Sequence, residues 1–265
     1  MTLASTLAAA SGPPSPGPAD FDLPVIPFLS AFGVTKPMVL VALSAVIIAV
    51  VFYYAARPAA VVPGRFQFAG ELVYGFVRNG IARDNIGSHD YQRFVPYLFS
   101  IFLFVLVNNF YGLIPFLQFP SFSHIGFAAA IAILSWLLYN GAGIAKHGFV
   151  GYFKHETVPA GMKGPILLLL VPLEFLSNIL LRPLTLTLRL FATMFAGHLL
   201  LILFSLGGEY LILHSDPIIN KVAGVFSVLL FIAISFLEIL VMFLQAYVFT
   251  LLSSMYIGEA LADEH

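Results

Sequence analysis

Long stretches without charged side chains constrain the fold of this chain more than any other feature. Residues 94–145 contain no Asp, Glu, Lys or Arg, and these 52 residues are too many for one membrane span and about right for two. Pro115 and Pro120 divide the stretch, because proline ends one helix and can start another. The pattern predicts a hairpin of transmembrane helices at 94–115 and 124–145.

Composition indicates a membrane protein and excludes several other classes. Charged residues make up 9% of the chain and hydrophobic residues 60%, whereas a soluble domain carries about 25% charged residues. The net charge of -1 offers no basic surface for nucleic acid, and the lack of cysteine excludes thiolate metal sites. The sequence contains no HExxH, GxSxG, Walker or Rossmann pattern. We therefore expect neither a catalytic site nor a metal or cofactor.

Three further stretches are apolar enough to enter a membrane. Residues 37–56 form a charge-free run that is long enough to cross about 30 Å of hydrocarbon once. The stretches 164–206 and 217–258 each hold about 40 residues, which as a helix would measure roughly 60 Å, twice the bilayer core. Each is therefore either a broken pair of segments or one long, steeply tilted helix, and the residues alone leave both options open.

The remaining segments are polar. Residues 1–36 include six prolines between 11 and 27, which predicts an extended leader without helix. Residues 57–93 mix five arginines with an apolar stripe, so we predict an amphipathic helix at 66–90 that lies on the membrane surface. Residues 146–163 are interpreted as a polar loop. The predicted fold class is an all-α polytopic membrane protein with a single membrane domain at 37–265.

The distribution of Lys and Arg predicts the orientation. Eight of the twelve lie in 57–93 and 146–163, which assigns these loops and the C-terminus to the cytoplasm. The leader and the turn at 207–221 are then outside. Neither a signal peptide nor a transit peptide is evident, which favours a bacterial plasma membrane.

Five ionisable side chains interrupt the apolar stretches, and such residues are functional candidates because their charge is costly in hydrocarbon. Arg189 must stay charged, so it is either a structural salt bridge or a fixed charge in an ion path. Arg182 lies beside Pro183, where it could reach the cytoplasmic boundary. Glu174 is a boundary carboxylate or a proton exit. The other two are His198 and Glu238.

His198 and Glu238 are candidates for proton handling. Histidine titrates near neutral pH, although a lone histidine among apolar residues is more often a packing residue. Gln245 follows Glu238 by seven residues and shares its helix face. If the last two helices run antiparallel and start at about 206 and 222 on either side of the turn, Glu238 lies at the same height in the membrane as Arg189. His198 then lies about 12 Å away along the axis, so we expect water between His198 and Glu238.

Several motifs resemble the a subunit of F-type ATP synthases. LRLFATMFAGHLL holds the leucine-flanked arginine of that family, Arg189, and its A-G-H triplet, 196–198. NNFYGLIPF (108–116) and LQAYVFTLL (244–252), with Gln245, resemble two further family segments. The likeness covers nearly everything from residue 38 onward.

The resemblance implies one transmembrane helix, a surface helix, a hairpin and two long tilted helices beside a rotor ring of c subunits. It implies that Arg189 faces the ring, that His198 and Glu238 act together, and that b subunits of a peripheral stalk, lipid and a large F1Fo complex are the partners. The subunit itself makes no ATP. We expect two proton half-channels separated by Arg189.

Two positions depart from the family pattern. Thr193 stands where asparagine is common, and its hydroxyl can still donate and accept a hydrogen bond. The family's upstream acid often precedes the arginine by fourteen residues, whereas Glu174 precedes Arg189 by fifteen, which turns it by 100°.

A secondary transporter is the main alternative function, although the chain shows no internal repeat. An intramembrane enzyme is a second alternative, but no nucleophile or metal constellation supports it.

Overall fold

The computed structural model describes residues 17, 35–56, 64–88, 90–114, 120–157 and 167–262. Within these ranges the regular structure is helical throughout, which confirms the predicted all-α class. Nearly all of the predicted leader at 1–36 lies outside the described residues.

Five of the described helices are long and apolar enough to cross a membrane. The first three are α1 (Lys36–Ala56), α4 (Tyr91–Phe110) and α5 (Ile125–His147). The other two are much longer. One is Leu169–Leu213, and the other is α9 (Ile218–Leu261). The chain is therefore a multi-pass membrane protein.

The fourth spanning element is one uninterrupted helix and not a broken pair. It begins with α7 (Leu167–Phe175), passes through a π-helical segment (Leu176–Leu181) and continues as α8 (Arg182–Leu213). Pro183 explains part of this irregularity, because it has no N–H to donate to the carbonyl four residues earlier, that of Ile179. The indole Nε1 of Trp136 on α5 donates to that carbonyl instead, at 2.9 Å.

A helix of irregular geometry fills the region predicted as a surface helix. It consists of α2 (Arg65–Val77), a π segment (Arg78–Arg83) and α3 (Asp84–Ile86), and it ends at Gly87 with φ +92°. Its buried side carries Val77, Ile81 and Ala82. The ring of Tyr74 also makes an edge contact with Phe99 of α4, with centroids 5.4 Å apart.

The polar loop assigned to 146–163 contains a helix, which corrects that interpretation. Helix α6 (Phe149–Thr157) follows α5 after a single glycine, Gly148, with φ +73°. The ring of Tyr152 fills the notch at Gly143, where any β-carbon would overlap it. The Tyr152 hydroxyl donates to Asn140 Oδ1 of α5 at 3.0 Å. The helix forms because this tyrosine supplies the packing that its polar sequence does not suggest.

Two ends of the bundle can be distinguished. We call the end formed by 64–93, 146–157 and the last turns of α9 the basic end. There Lys146 Nζ donates to the Leu261 carbonyl at 2.6 Å, and Gly258 packs directly on the backbone of Asn85. At the opposite end α8 and α9 join as an antiparallel pair.

Small residues set how α8 and α9 meet. A β-carbon on Gly224 would lie 3.1 Å from the Gly208 carbonyl oxygen, so the backbones approach closely at this level. Ser227 Oγ donates to the Phe204 carbonyl at 2.9 Å one turn further on. These contacts fix the register of the pair and therefore decide which site residues lie level with one another.

Candidate functional site

Arg189 lies on an uncovered face of α8, two turns beyond Pro183. The side chain is exposed, as are its neighbours Leu184 and Leu188. Among the described residues no hydrogen bond or ion pair reaches its guanidinium. A cation that cannot lose its proton is thus presented on an apolar surface. Such an arrangement is costly in lipid alone, so this cation needs an anionic or polar partner beyond the described residues.

Arg182 has the opposite environment. Its Nη2 lies 2.8 Å from Glu259 Oε2 of α9, and its Nη1 lies 3.8 Å from Glu156 Oε2 of α6. The guanidinium carbon also stands 4.8 Å from the ring centroid of Tyr256, in cation–π geometry. The structural salt bridge that was one option for Arg189 is therefore made by Arg182.

Glu238 is buried on α9 and packs against the backbone of α8 at Gly197. A β-carbon on Gly197 would lie 3.0 Å from Glu238 Oε1 and 3.4 Å from its Cδ. The next residue, His198, is also buried. The absence of a side chain at Gly197 is what leaves room for the carboxyl group beside the histidine position.

The expectation that Glu238 lies level with Arg189 is wrong. The contact with Gly197 places Glu238 level with 197–198, about eight residues nearer the turn than Arg189. That expectation supposed that the two helices meet between 206 and 222, whereas α8 runs to Leu213 and α9 starts at Ile218. The new helix ends shift the register by only three residues, and the packing of Glu238 on Gly197 accounts for the rest, so the expected axial offset of about 12 Å between His198 and Glu238 is not present.

The same register brings Gln245 to the level of Arg189. Seven residues forward from Glu238 is Gln245, and seven residues back from Gly197 in the antiparallel helix is Leu190. The Gln245 side chain is buried, and its Nε2 has no hydrogen-bond partner in the described part of the chain.

Thr193 Oγ1 donates to the Arg189 carbonyl at 2.8 Å, so its hydroxyl has only acceptor capacity left.

Several buried polar atoms on α4 and α9 have no hydrogen-bond partner in the described part of the chain. Within the described ranges, neither carboxylate oxygen of Glu238 has a hydrogen-bond partner, nor do Asn108 Oδ1 and Asn109 Oδ1. Asn109 Nδ2 approaches the carbonyl of Met242, one turn along α9 from Glu238, at 3.4 Å. Such atoms are costly when dry and are normally satisfied by ordered water. Asn108 and Asn109 were not predicted as site candidates, although a pair of asparagines inside an apolar helix is a signal that the sequence carries.

Glu174 lies on α7 near the basic end. Its Oε2 accepts a hydrogen bond from Asn178 Nδ2 at 3.3 Å, and the same amide donates to the Glu156 carbonyl at 2.8 Å. A π-helical turn holds one residue more than an α-helical turn. The π segment between Glu174 and Arg189 therefore takes up the extra residue of the fifteen-residue spacing. It turns Glu174 back toward the face that a spacing of fourteen would give.

Titratable residues do not form a metal site in the part of the chain that the structure describes. No group of three or more His, Asp or Glu side chains there is arranged to hold a metal ion. The ionisable groups of the candidate site are the Arg189 guanidinium, the His198 imidazole and the Glu238 carboxyl group.

Comparison with known proteins agrees with the sequence motifs. A family model described as ATP synthase A chain matches residues 38–258. ATP synthase subunit a of a Nocardioides species is 56% identical, with all of both chains covered. The subunit a proteins of Pseudarthrobacter chlorophenolicus (50% identical, 94% of each chain) and Rhodococcus erythropolis (40% identical, 100% of this chain and 96% of that one) are also similar.

The family match runs from the first to the last of the five candidate spans and includes Arg189, His198 and Glu238. It confirms the resemblance drawn from the arginine motif and from the segments at 108–116 and 244–252. The chain belongs to the ATP synthase A chain family.

Proposed function

We propose that this subunit provides two proton half-channels beside a rotor ring of c subunits and couples proton flow to rotation of the ring. The observation that carries the proposal is the contrast between the two intramembrane arginines. Arg182 has its charge neutralised inside the bundle, whereas Arg189 presents its charge on an open apolar face. An external carboxylate is the natural partner for a cation so placed.

The first half-channel opens at the end opposite the basic end. Asn108, Asn109, His198 and Glu238 line it with buried polar atoms, and water between them satisfies the unpaired oxygens. Glu238 passes a proton to a carboxylate of the ring, whose neutral form can then rotate into lipid at low cost. Gln245 lies at the inner limit of this path, level with Arg189.

The second half-channel leads from Arg189 to the basic end. Glu174 and Asn178 offer a carboxylate and an amide there, beside Glu156. Arg189 separates the two paths because its positive charge repels a migrating cation and favours the ionised form of the carboxylate that faces it. Each proton that crosses 100 mV contributes about 2.3 kcal/mol, so a ring must sum several protons for one ATP.

The proposal includes the setting of the subunit. It works without catalytic residues of its own, next to the c ring and the b subunits of a peripheral stalk in a hetero-oligomeric F1Fo complex. The basic end faces the cytoplasm of a bacterial plasma membrane, with the N-terminus outside. A secondary transporter with the same buried charges would move its solute when purified alone, whereas this subunit requires the ring for turnover.

The deciding experiment is Arg189→Ala in the complete synthase, reconstituted in sealed vesicles. We expect loss of ATP synthesis and a passive proton leak, because nothing then separates the half-channels. Arg189→Lys is the companion variant. It keeps the positive charge but replaces the planar guanidinium group, which can make two parallel hydrogen bonds to a carboxylate, with a single ammonium group. Wild-type synthesis by Arg189→Ala in an assembled complex would contradict the proposal.

A further inference from the structure

Arg182 joins three helices at the basic end. It lies at the start of α8, and it binds Glu156 of α6 and both Glu259 and Tyr256 of α9. These partners come from separate parts of the chain, 26 residues before and up to 77 residues after Arg182. We call this group the Arg182 clamp.

The inner half of the clamp is buried and the outer half is not. The side chain of Glu156 is 6% exposed and that of Arg182 is 17% exposed, whereas Glu259 is 50% exposed. The Tyr152 hydroxyl, whose proton points to Asn140 Oδ1 at 3.0 Å, also lies 3.4 Å from Glu156 Oε1. Burial, reinforced by the Glu156 charge, raises the pKa of Tyr152, so this hydroxyl keeps its proton at physiological pH. Loss of Arg182 would leave Glu156 as a buried charge without its cation.

The position of the clamp matters because of the π segment before it. A π-helical stretch turns by less per residue than an α-helix, so the rotation of α8 relative to α7 depends on this stretch keeping its geometry. Arg182 is the first residue after that stretch, and Trp136 holds the Ile179 carbonyl within it. Trp136 therefore holds the π segment from α5, and Arg182 holds the start of α8 through its contacts with α6 and α9.

The rotation of α8 at Arg182 is transmitted directly to Arg189. Seven residues of regular α-helix separate them, which is about 20° short of two full turns and about 10.5 Å of rise. A change in the direction of Arg182 around the α8 axis therefore changes the direction of Arg189 by the same angle, because the intervening helix is continuous.

From this geometry we infer that Arg182 is a positioning residue: through Glu156, Glu259 and Tyr256 it fixes the direction in which Arg189 meets its partner. The inference rests on the proposed function of Arg189. It assigns to Arg182 a role distinct from proton transfer, since its own charge is already neutralised by two carboxylates.

The test uses the complete synthase in sealed vesicles, with ATP synthesis and passive proton permeability expressed per assembled complex. Arg182→Met alone can fail to fold because it strands the Glu156 charge, so the decisive variant is the neutral pair Arg182→Met with Glu156→Gln. We expect this pair to assemble but to synthesise ATP about tenfold more slowly and to leak protons, since small displacements of a reacting group carry such penalties. Arg182→Lys should recover most of the rate, and Lys154→Ala on α6, an exposed cation, should match the wild type.

Wild-type synthesis and permeability in the neutral pair would overturn the inference and leave Arg182 as a structural residue only. Arg189→Ala in the same vesicles separates the two proposals. If Arg189→Ala abolishes synthesis while the neutral pair is normal, only the positioning role fails. If both are normal, the proposed function itself fails.

Discussion

Arg182 and Arg189 carry the same chemical group two helical turns apart, and their neighbours give them different properties. Two carboxylates neutralise Arg182 at the basic end, whereas Arg189 stands on an open face. Glu156 is buried with its Oε2 3.8 Å from Arg182 Nη1, an ion pair without a hydrogen bond, and removing that cation would leave a buried carboxylate without its charge partner. At the scale of single residues, function therefore depends on which partners each charge lacks as well as on which it has.

Gly197 provides a residue-scale prediction. A methyl group at this position would lie 3.0 Å from Glu238 Oε1, so Gly197→Ala should displace the carboxyl group by a few tenths of an ångström. We expect the assembled complex to lose ATP synthesis several-fold, because proton transfer depends on precise distances. The measurement is proton-driven ATP synthesis in vesicles.

Gly207→Ala is the matched control for Gly197→Ala. It lies on the same helix and has no atom within 4 Å of an added β-carbon, so its activity should equal that of the wild type. Equal activities of the two alanine variants would show that the packing of Glu238 on Gly197 has no part in proton transfer.

At the scale of elements, irregular helix geometry places the site. The π segment before Arg182 takes up one residue between Glu174 and Arg189, and Trp136 satisfies the carbonyl that Pro183 leaves without a donor. Helix α6 then brings Glu156 to the start of α8. One local irregularity and two contacts from other helices thus determine the environment of one long helix.

Gly143 provides an element-scale prediction. Its notch holds the ring of Tyr152, which is tied to Asn140 and Glu156, so Gly143→Ala must push α6 outward. Overpacking of this kind costs about 1–3 kcal/mol. We expect a lower midpoint of thermal unfolding for the purified complex and a lower yield of assembled subunit.

Gly141→Ala, two residues earlier on α5, serves as the control for Gly143→Ala. An added β-carbon there meets no atom within 4 Å, and alanine is a better helix former than glycine. It should leave the unfolding midpoint unchanged or raise it slightly. A Gly143→Ala complex that is as stable as the control would mean that α6 is not held by the Tyr152 notch.

At the scale of the whole molecule, the lack of cysteine allows a direct test of orientation. Asp216→Cys, between α8 and α9, should react with a membrane-impermeant maleimide added to intact cells, because the turn is assigned to the outside. Lys154→Cys on α6 should react only in inverted vesicles. Both positions are exposed, so accessibility depends on the side of the membrane alone. The reverse pattern would invert the topology and exchange the two proposed half-channels.

The sequence by itself determined the all-helical class, the stretches apolar enough to enter a membrane and the ionisable residues inside them. These properties follow from the cost of charge in hydrocarbon and from helix length, which are local and readable along the chain. Arg189 and His198 could be identified as site candidates for the same reason.

Only the tertiary structure decided which of these residues meet. The register of α8 on α9 depends on close backbone contact at Gly208 and Gly224, so the level of Glu238 could not be read from the apolar stretches. The partners of Arg182 come from two distant segments, and no local pattern announces such a pairing. Hydrophobic patterning is additive along the chain, whereas register and ion pairing depend on three-dimensional packing, which couples residues far apart in sequence.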